Sequence, residues 1–146
     1  MLLRSTLRSL DRLAKRLGRR RSRAPHLEVG TLGEEEAYFH LRKLGYTMVA
    51  RGYRSPRRRG DIDLIGWDGD TLCFIEVKTR SRHDILPAES RVDDEKRAAL
   101  SALAREYLRQ LRRKPAPKFR FDVTSVYLQS KAEPEVVIFK DAFPLA

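Results

Sequence analysis

The segments GDIDLI at residues 60–65 and FIEVK at residues 74–78 give the clearest indication of the fold. Both are rich in aliphatic and β-branched side chains, which favour strands. The turn residues Asp68-Gly69-Asp70 lie between them. Together the two segments predict a β-hairpin.

The register of this hairpin decides which side chains meet. If residues 68–71 form the connection, Trp67 lies opposite Leu72, which puts Asp63 opposite Glu76 and Asp61 opposite Lys78. The charged side chains then share a face, because side chains alternate between the faces of a strand. Directly opposed Cβ atoms are about 5 Å apart. We therefore expect three carboxylates and one ammonium group to project from one face.

Charges beside an apolar core need a partner or a metal ion. Carboxylate oxygens suit Mg²⁺ or Mn²⁺, whereas zinc favours cysteine and histidine, and the chain has one cysteine and three scattered histidines. The alternative is a surface of cross-strand ion pairs, in which Lys78 pairs with Asp63 or Glu76 and adds little stability.

The rest of the chain predicts an α/β fold in the order α-β-β-β-α-β-β. A helix is expected from Thr31 to about Leu44 and another from Asp93 to Arg113, before Pro115. The second helix has a single apolar stripe, formed by Leu100, Leu103, Ala104, Tyr107, Leu108 and Leu111. Further strands are expected at residues 46–50, 118–128 and 135–140.

Glu34 belongs to the first predicted helix and has two interpretations. It shares a helical stripe with Ala37, Leu41 and Leu44, which turns its carboxylate toward the apolar side and not toward solvent. It also stands three residues after Thr31, where it would complete a capping box at the helix start. The spacing supports both interpretations.

The net charge of +11 is concentrated at the N-terminus. Residues 1–25 contain nine basic residues and one acid, a net +8, and leave +3 for the rest of the chain. Residues 1–28 are therefore interpreted as a basic amphipathic arm, and residues 29–146 as one domain. The arm is typical of a phosphate-binding segment, a membrane-surface helix, a targeting peptide or a disordered tail.

The cysteine content and hydropathy bear on localisation. Cys73 is the only cysteine, which excludes an intramolecular disulfide and favours a reducing compartment such as the cytoplasm. No stable membrane span is expected, because no apolar run approaches the roughly 20 residues that a bilayer requires.

The two hairpin segments also resemble a known motif. Asp63 followed by Glu76-Val77-Lys78 resembles the PD-(D/E)xK nuclease motif, and a glutamate on a preceding helix resembles the Holliday-junction-resolvase branch of that superfamily. A longer string of matches covers about residues 30–128 and resembles the YraN-like family of small bacterial proteins. It consists of GEEEA at 33–37, LGY at 44–46, GDIDLI at 60–65, FIEVKTR at 74–80, Val92 with Lys96, and RFDV at 120–123.

The chain departs from that family at two places. Family members usually have glutamate where this chain has Asp61, which keeps a carboxylate but shortens its reach. They usually have Asn-x-Arg near residues 52–54, where this chain has Gly52-Tyr53-Arg54.

The resemblance implies a restriction-endonuclease-like core, a mixed sheet flanked by helices, and a metal-dependent active site. Mg²⁺ (or Mn²⁺) would be held by Asp63, Glu76 and the Val77 carbonyl, with Glu34 nearby, and Lys78 would orient the attacking water. The implied activity is hydrolysis of DNA, and the resemblance to junction resolvases adds branched DNA as the substrate and a homodimer as the working state.

The predicted nucleic-acid contacts are basic residues near the hairpin. They are Arg54, Arg57, Arg58, Arg59 and Lys96. The alternatives are a solvated loop for the arginines and an ordinary first-turn helix lysine for Lys96. Two other functions also remain open, namely a non-catalytic nucleic-acid-binding module and a peripheral membrane protein tethered by its arm.

Overall fold

The computed structural model describes residues 25–80, 92–129 and 131–146. The predicted arm therefore lies outside the described residues up to position 24, as do residues 81–91. The described elements are α1 (Pro25–Lys43), β1 (Thr47–Tyr53), β2 (Ile62–Asp68), β3 (Thr71–Arg80), α2 (Asp94–Leu111), β4 (Lys118–Tyr127) and β5 (Glu135–Phe143).

The five strands form one mixed sheet in the order β1-β2-β3-β4-β5. Only β3 and β4 are parallel, and the other neighbouring strands are antiparallel. A parallel pair needs a crossover connection, which α2 supplies between β3 and β4. The predicted α/β class and restriction-endonuclease-like core are confirmed.

The two helices cover opposite faces of the sheet. On one face, Leu100 and Leu103 of α2 pack with Leu72 and Phe74 of β3. On the other face, Leu41 and its neighbours on α1 pack against the opposite side of β3. Because β3 is covered on both faces, residues 72–75 form a continuous apolar run and not an alternating one.

The structure corrects the predicted start of the first helix. Helix α1 begins at Pro25, so Thr31 lies inside it and cannot be its N-cap. The pattern TLGE resembles a capping box but lies mid-helix, where the backbone N–H groups already have partners in the helix. At the other end the helix stops at Lys43, and Leu44 is exposed.

The second helix agrees closely with its prediction. The six residues of the apolar stripe all belong to the core or pack against it. Asp93 caps the helix start, where its Oδ1 accepts a hydrogen bond from the Lys96 N–H at 2.8 Å. None of the helices in the described ranges is long and apolar enough to cross a membrane.

Candidate active site

The backbone pairing of β2 with β3 ends at Leu64 and Ile75, next to the carboxylates of Asp63 and Glu76. The β2–β3 ladder runs from Asp68 opposite Thr71, through Trp67 opposite Leu72 as predicted, to Leu64 opposite Ile75. Beyond this pair a side chain takes the place of the backbone acceptor: Asp63 Oδ2 accepts a hydrogen bond from the Val77 N–H at 2.7 Å. Asp63 is thereby held beside Glu76 and Val77 of β3.

The same hydrogen bond indicates where the Val77 carbonyl points. The N–H and C=O of one strand residue are directed to the same side of the strand. Since the Val77 N–H points toward Asp63, its carbonyl oxygen points toward the same gap between the strands. This orientation suits the predicted role of Val77 as a backbone ligand.

Asp63 and Glu76 form a partly buried acidic pair. Burial raises the pKa of both carboxyls, and repulsion from Asp63 adds to the rise for Glu76, whose pKa reaches about 7. The Val77 hydrogen bond and Lys96 act in the opposite direction on Asp63. Among the described atoms, Glu76 Oε2 is buried and has no hydrogen-bond partner.

Two lysines bring positive charge to this pair. Lys96 Nζ lies 3.4 Å from Glu76 Oε2, an ion-pair distance whose geometry does not make a hydrogen bond. Lys78 on β3 also lowers the pKa of Glu76 by its charge. Lys96 therefore faces the carboxylates, and is not an ordinary solvated helix lysine.

Glu34 is within electrostatic range of Asp63 and Asp61, and α1 approaches β3 closely at the preceding residue. A Cβ atom on Gly33 would fall 1.8 Å from Thr79 Oγ1, so only glycine allows this approach. Burial raises the pKa of Glu34, and Asp63 and Asp61 raise it further. The start of α1 removes the capping interpretation of Glu34. Glu34, Asp61, Asp63 and Glu76 act on one another by their charges in a group that we call the acidic cluster. The role of Glu34 as a ligand stays a prediction.

The arrangement sets a limit on metal coordination. Within the described parts of the chain, no three His, Cys, Asp or Glu side chains lie close enough to hold an ion together. Mg²⁺ is commonly held by one or two carboxylates and completes its shell with water and phosphate. Asp63, Glu76 and the Val77 carbonyl fit that donor set, and Glu76 Oε2, which accepts no hydrogen bond among the described atoms, supplies an oxygen for it.

The arginine-rich segment Arg54–Gly60, which we call the arginine loop, joins β1 to β2 and is fastened to α2. Ser55 Oγ donates a hydrogen bond to Glu106 Oε1 at 2.7 Å and accepts one from the Arg57 N–H at 3.2 Å. Arg58 Nε lies 3.9 Å from Glu106 Oε2. The loop is therefore an ordered element in which all four arginines are exposed.

One arginine links this loop to the acidic cluster. Arg54 Nη2 lies 3.8 Å from Asp61 Oδ2, and both side chains are accessible to solvent. Asp61 is thus half-buried at the rim of the cluster, between the arginine loop and Asp63.

Sequence reasoning missed several residues around the site. Arg51 lowers the pKa of Glu34 and stacks its guanidinium 4.6 Å from the Tyr38 ring centre. Ser55 and Glu106 are 51 positions apart, and neither belongs to a motif that could link them. By contrast, Asp122 of the RFDV segment is structural, since it is buried and accepts hydrogen bonds from Arg120 Nε and the Asp141 N–H.

Comparison with known proteins places this constellation in a family. Residues 33–126 match the model of a group described as Uncharacterised protein family UPF0102. The chain belongs to this family. The matched range contains Glu34, Asp63, Glu76, Lys78 and Lys96.

Individual UPF0102 proteins are similar over most of their length. One from Koribacter versatilis is 52% identical over 121 residues, covering 83% of this chain and 82% of the relative. Another from Solibacter usitatus is 46% identical over 92% of this chain and 97% of the relative. A third from Clostridium kluyveri is 40% identical over 81% and 95%.

Proposed function

We propose that this protein is a cytoplasmic, metal-dependent nuclease that hydrolyses phosphodiester bonds in DNA. The observation that carries the proposal is the partly buried pair of Asp63 and Glu76, which lies where the β2–β3 pairing ends, with Lys78 and Lys96 close enough to act on Glu76 by their charge. Two neighbouring buried carboxylates are unfavourable unless a cation compensates them.

The donor set favours Mg²⁺ or Mn²⁺, with Asp63, Glu76 and the Val77 carbonyl as ligands and Glu34 as a further carboxylate within electrostatic range of Asp63. When bound, such an ion polarises the phosphate and lowers the pKa of a bound water. Lys78 would orient the attacking water, and a cation near the phosphate stabilises the negative charge that develops on it.

The arginine loop supports a polyanionic substrate. Its four arginines are exposed on a segment anchored by Ser55 and Glu106, so the loop does not have to become ordered on binding. Because Arg54 reaches Asp61, the loop brings positive charge to the rim of the acidic cluster. Phosphate contacts of this kind position a nucleic acid without reading its sequence.

The experiment that tests the activity uses end-labelled four-way junction, single-stranded and duplex DNA, each with Mg²⁺, Mn²⁺ or EDTA. Asp63→Ala and Lys78→Gln are expected to lower the cleavage rate about a hundredfold or more. Lys131→Gln is the matched control, since it removes the same charge from an exposed residue beyond β4 and should cleave like the wild type. Equal cleavage by all four proteins would refute the proposal.

A preference for branched DNA and a homodimeric state are extensions of the same proposal that rest on the resemblance to junction resolvases. Faster cleavage of the junction than of either linear substrate supports the first, and sedimentation as a dimer supports the second. Equal rates, or a monomer at the concentration at which cleavage occurs, would refute the corresponding extension.

A second candidate is a nucleic-acid-binding module without catalysis. It is favoured by one observation, that Lys96 already lies 3.4 Å from Glu76 and compensates its charge without a metal ion. This function predicts DNA binding that is equal in Mn²⁺ and EDTA and falls steeply with salt. It also predicts no cleavage of any substrate.

A further inference from the structure

An open cavity of about 680 Å³ lies at the other end of β2 from the acidic cluster. It is lined by residues of the β2–β3 turn and of the connection between α2 and β4, including Trp67, Asp70, Arg113, Lys114 and Lys118. Trp67 follows Asp63 by four positions, which is about 13 Å along a strand. The cavity is therefore separate from the carboxylate site.

The cavity contains a preformed stacking pair. The Arg113 guanidinium carbon lies 5.0 Å from the Trp67 ring centre, a cation–π contact. Trp67 packs against the core on the α2 face, which fixes the orientation of its ring. Arg113 is exposed, and a guanidinium stacked on a ring by one face can stack a planar ligand on its other face.

The charge of the cavity favours an anion. Three of its lining residues are basic and exposed, whereas Asp70 is its single acid. In the described ranges, no carboxylate lies within ion-pair distance of Arg113 or Lys114. Lys118 Nζ lies 3.6 Å from Asp70 Oδ2, but both side chains are about 80% exposed and such a pair is weak.

Part of this charge has a simpler explanation. Basic residues are common just beyond a helix C-terminus, where they interact with the helix dipole, and this accounts for Arg113 and Lys114. It does not account for Lys118, which begins β4, or for the stacking of Arg113 on Trp67. Basic groups around an aromatic platform are the combination that binds single strands.

We propose that this cavity binds single-stranded nucleic acid, with a base stacked on the Trp67–Arg113 pair and phosphates on Lys114 and Lys118. Unpaired bases expose the faces that stacking requires, whereas bases in a duplex are already stacked. The inference rests on the proposed function only for the class of partner, because stacking here requires neither a metal ion nor hydrolysis.

Trp67 is the only tryptophan of the chain, so its fluorescence reports on this cavity alone. The full-length protein in EDTA is titrated with a twelve-residue oligothymidine, while anisotropy of a labelled copy measures total binding. We expect saturable quenching of Trp67 that weakens with salt. Arg113→Glu should weaken the binding reported by quenching about fivefold to a hundredfold.

The matched control is Lys131→Glu, the introduction of a glutamate at an exposed lysine outside the cavity. It should change the affinity less than twofold. Binding by anisotropy without quenching of Trp67, or an equal loss in both variants, would overturn the inference. Quenching by phosphatidylserine vesicles but not by the oligonucleotide would also overturn it, in favour of a membrane surface.

This experiment separates the cavity from the proposed activity. If quenching occurs in EDTA but no DNA is cleaved with Mn²⁺, the cavity is supported and the nuclease is refuted. If DNA is cleaved but the oligonucleotide does not quench Trp67, the nuclease is supported and the binding role of the cavity is refuted.

Discussion

The carboxylate of Asp63 accepts a hydrogen bond from the backbone N–H of Val77 at 2.7 Å, where the ladder between β2 and β3 has ended. One side chain therefore has two tasks, since it satisfies a strand N–H and places a negative charge beside Glu76. A substitution that keeps the acceptor but removes the charge can separate these tasks.

The close approach of α1 to β3 predicts opposite effects for two glycines of one helix. Gly33→Ala would place a methyl group against the Thr79 side chain and should lower the free energy of unfolding by about 1–3 kcal/mol. Gly30→Ala meets no atom within 4 Å and should raise it by about 0.5–1 kcal/mol. Urea unfolding of both variants measures the difference, and two equal effects would contradict this packing.

The contacts that anchor the arginine loop to α2 predict that Ser55 contributes more to the free energy of unfolding than Arg58 does. Ser55→Ala leaves a Glu106 oxygen without its hydroxyl donor in a buried position and should cost about 1–3 kcal/mol. Arg58→Gln removes a 3.9 Å ion pair of a half-exposed arginine and should cost less than about 1 kcal/mol. Unfolding free energies in urea measure both losses. A larger loss in Arg58→Gln than in Ser55→Ala would show that the ion pair anchors the loop.

The raised pKa of Glu76 predicts that the metal-free protein loses stability as pH rises. Its pKa of about 7 in the folded state exceeds the ordinary 4.5, so the folded chain binds more protons between these values. The free energy of unfolding should therefore fall across this window, by at most about 3 kcal/mol from this group. The raised pKa values of Asp63 and Glu34 act in the same direction.

Urea unfolding in EDTA at about pH 5 and pH 7.5 measures this slope. Glu76→Gln cannot titrate and should flatten it, whereas Lys96→Gln removes a positive charge from Glu76 and should extend the loss to higher pH. An unchanged slope in Glu76→Gln would show that other groups cause it.

Local sequence patterns were sufficient to predict the hairpin that carries Asp63 and Glu76. They were insufficient to predict the contacts that surround it. The hairpin register followed from the turn at Asp68-Gly69-Asp70 and from alternation, so Trp67 opposite Leu72 could be predicted. The start of α1 could not, because TLGE has the composition of a cap wherever it occurs. Contacts between distant residues, such as Ser55 with Glu106, depend on how α2 crosses the sheet and have no local signal.

The backbone conformation explains why this chain can have Gly52 near the position where the resemblance leads us to expect asparagine. Gly52 has a φ of +61°, in the left-handed region that glycine and asparagine tolerate best. Glycine can therefore replace the asparagine usual near this position without strain in the backbone. The sequence alone presents the same difference as the loss of a polar side chain.

Titration calorimetry with Mn²⁺ tests whether Asp63 and Glu76 together bind a divalent cation. The wild type should bind Mn²⁺, and Asp63→Asn should lose this binding while remaining folded, because asparagine keeps an acceptor for the Val77 N–H. Asp61→Asn is the matched control at the rim of the cluster and should retain binding. Wild-type affinity for Mn²⁺ in Asp63→Asn would contradict the account.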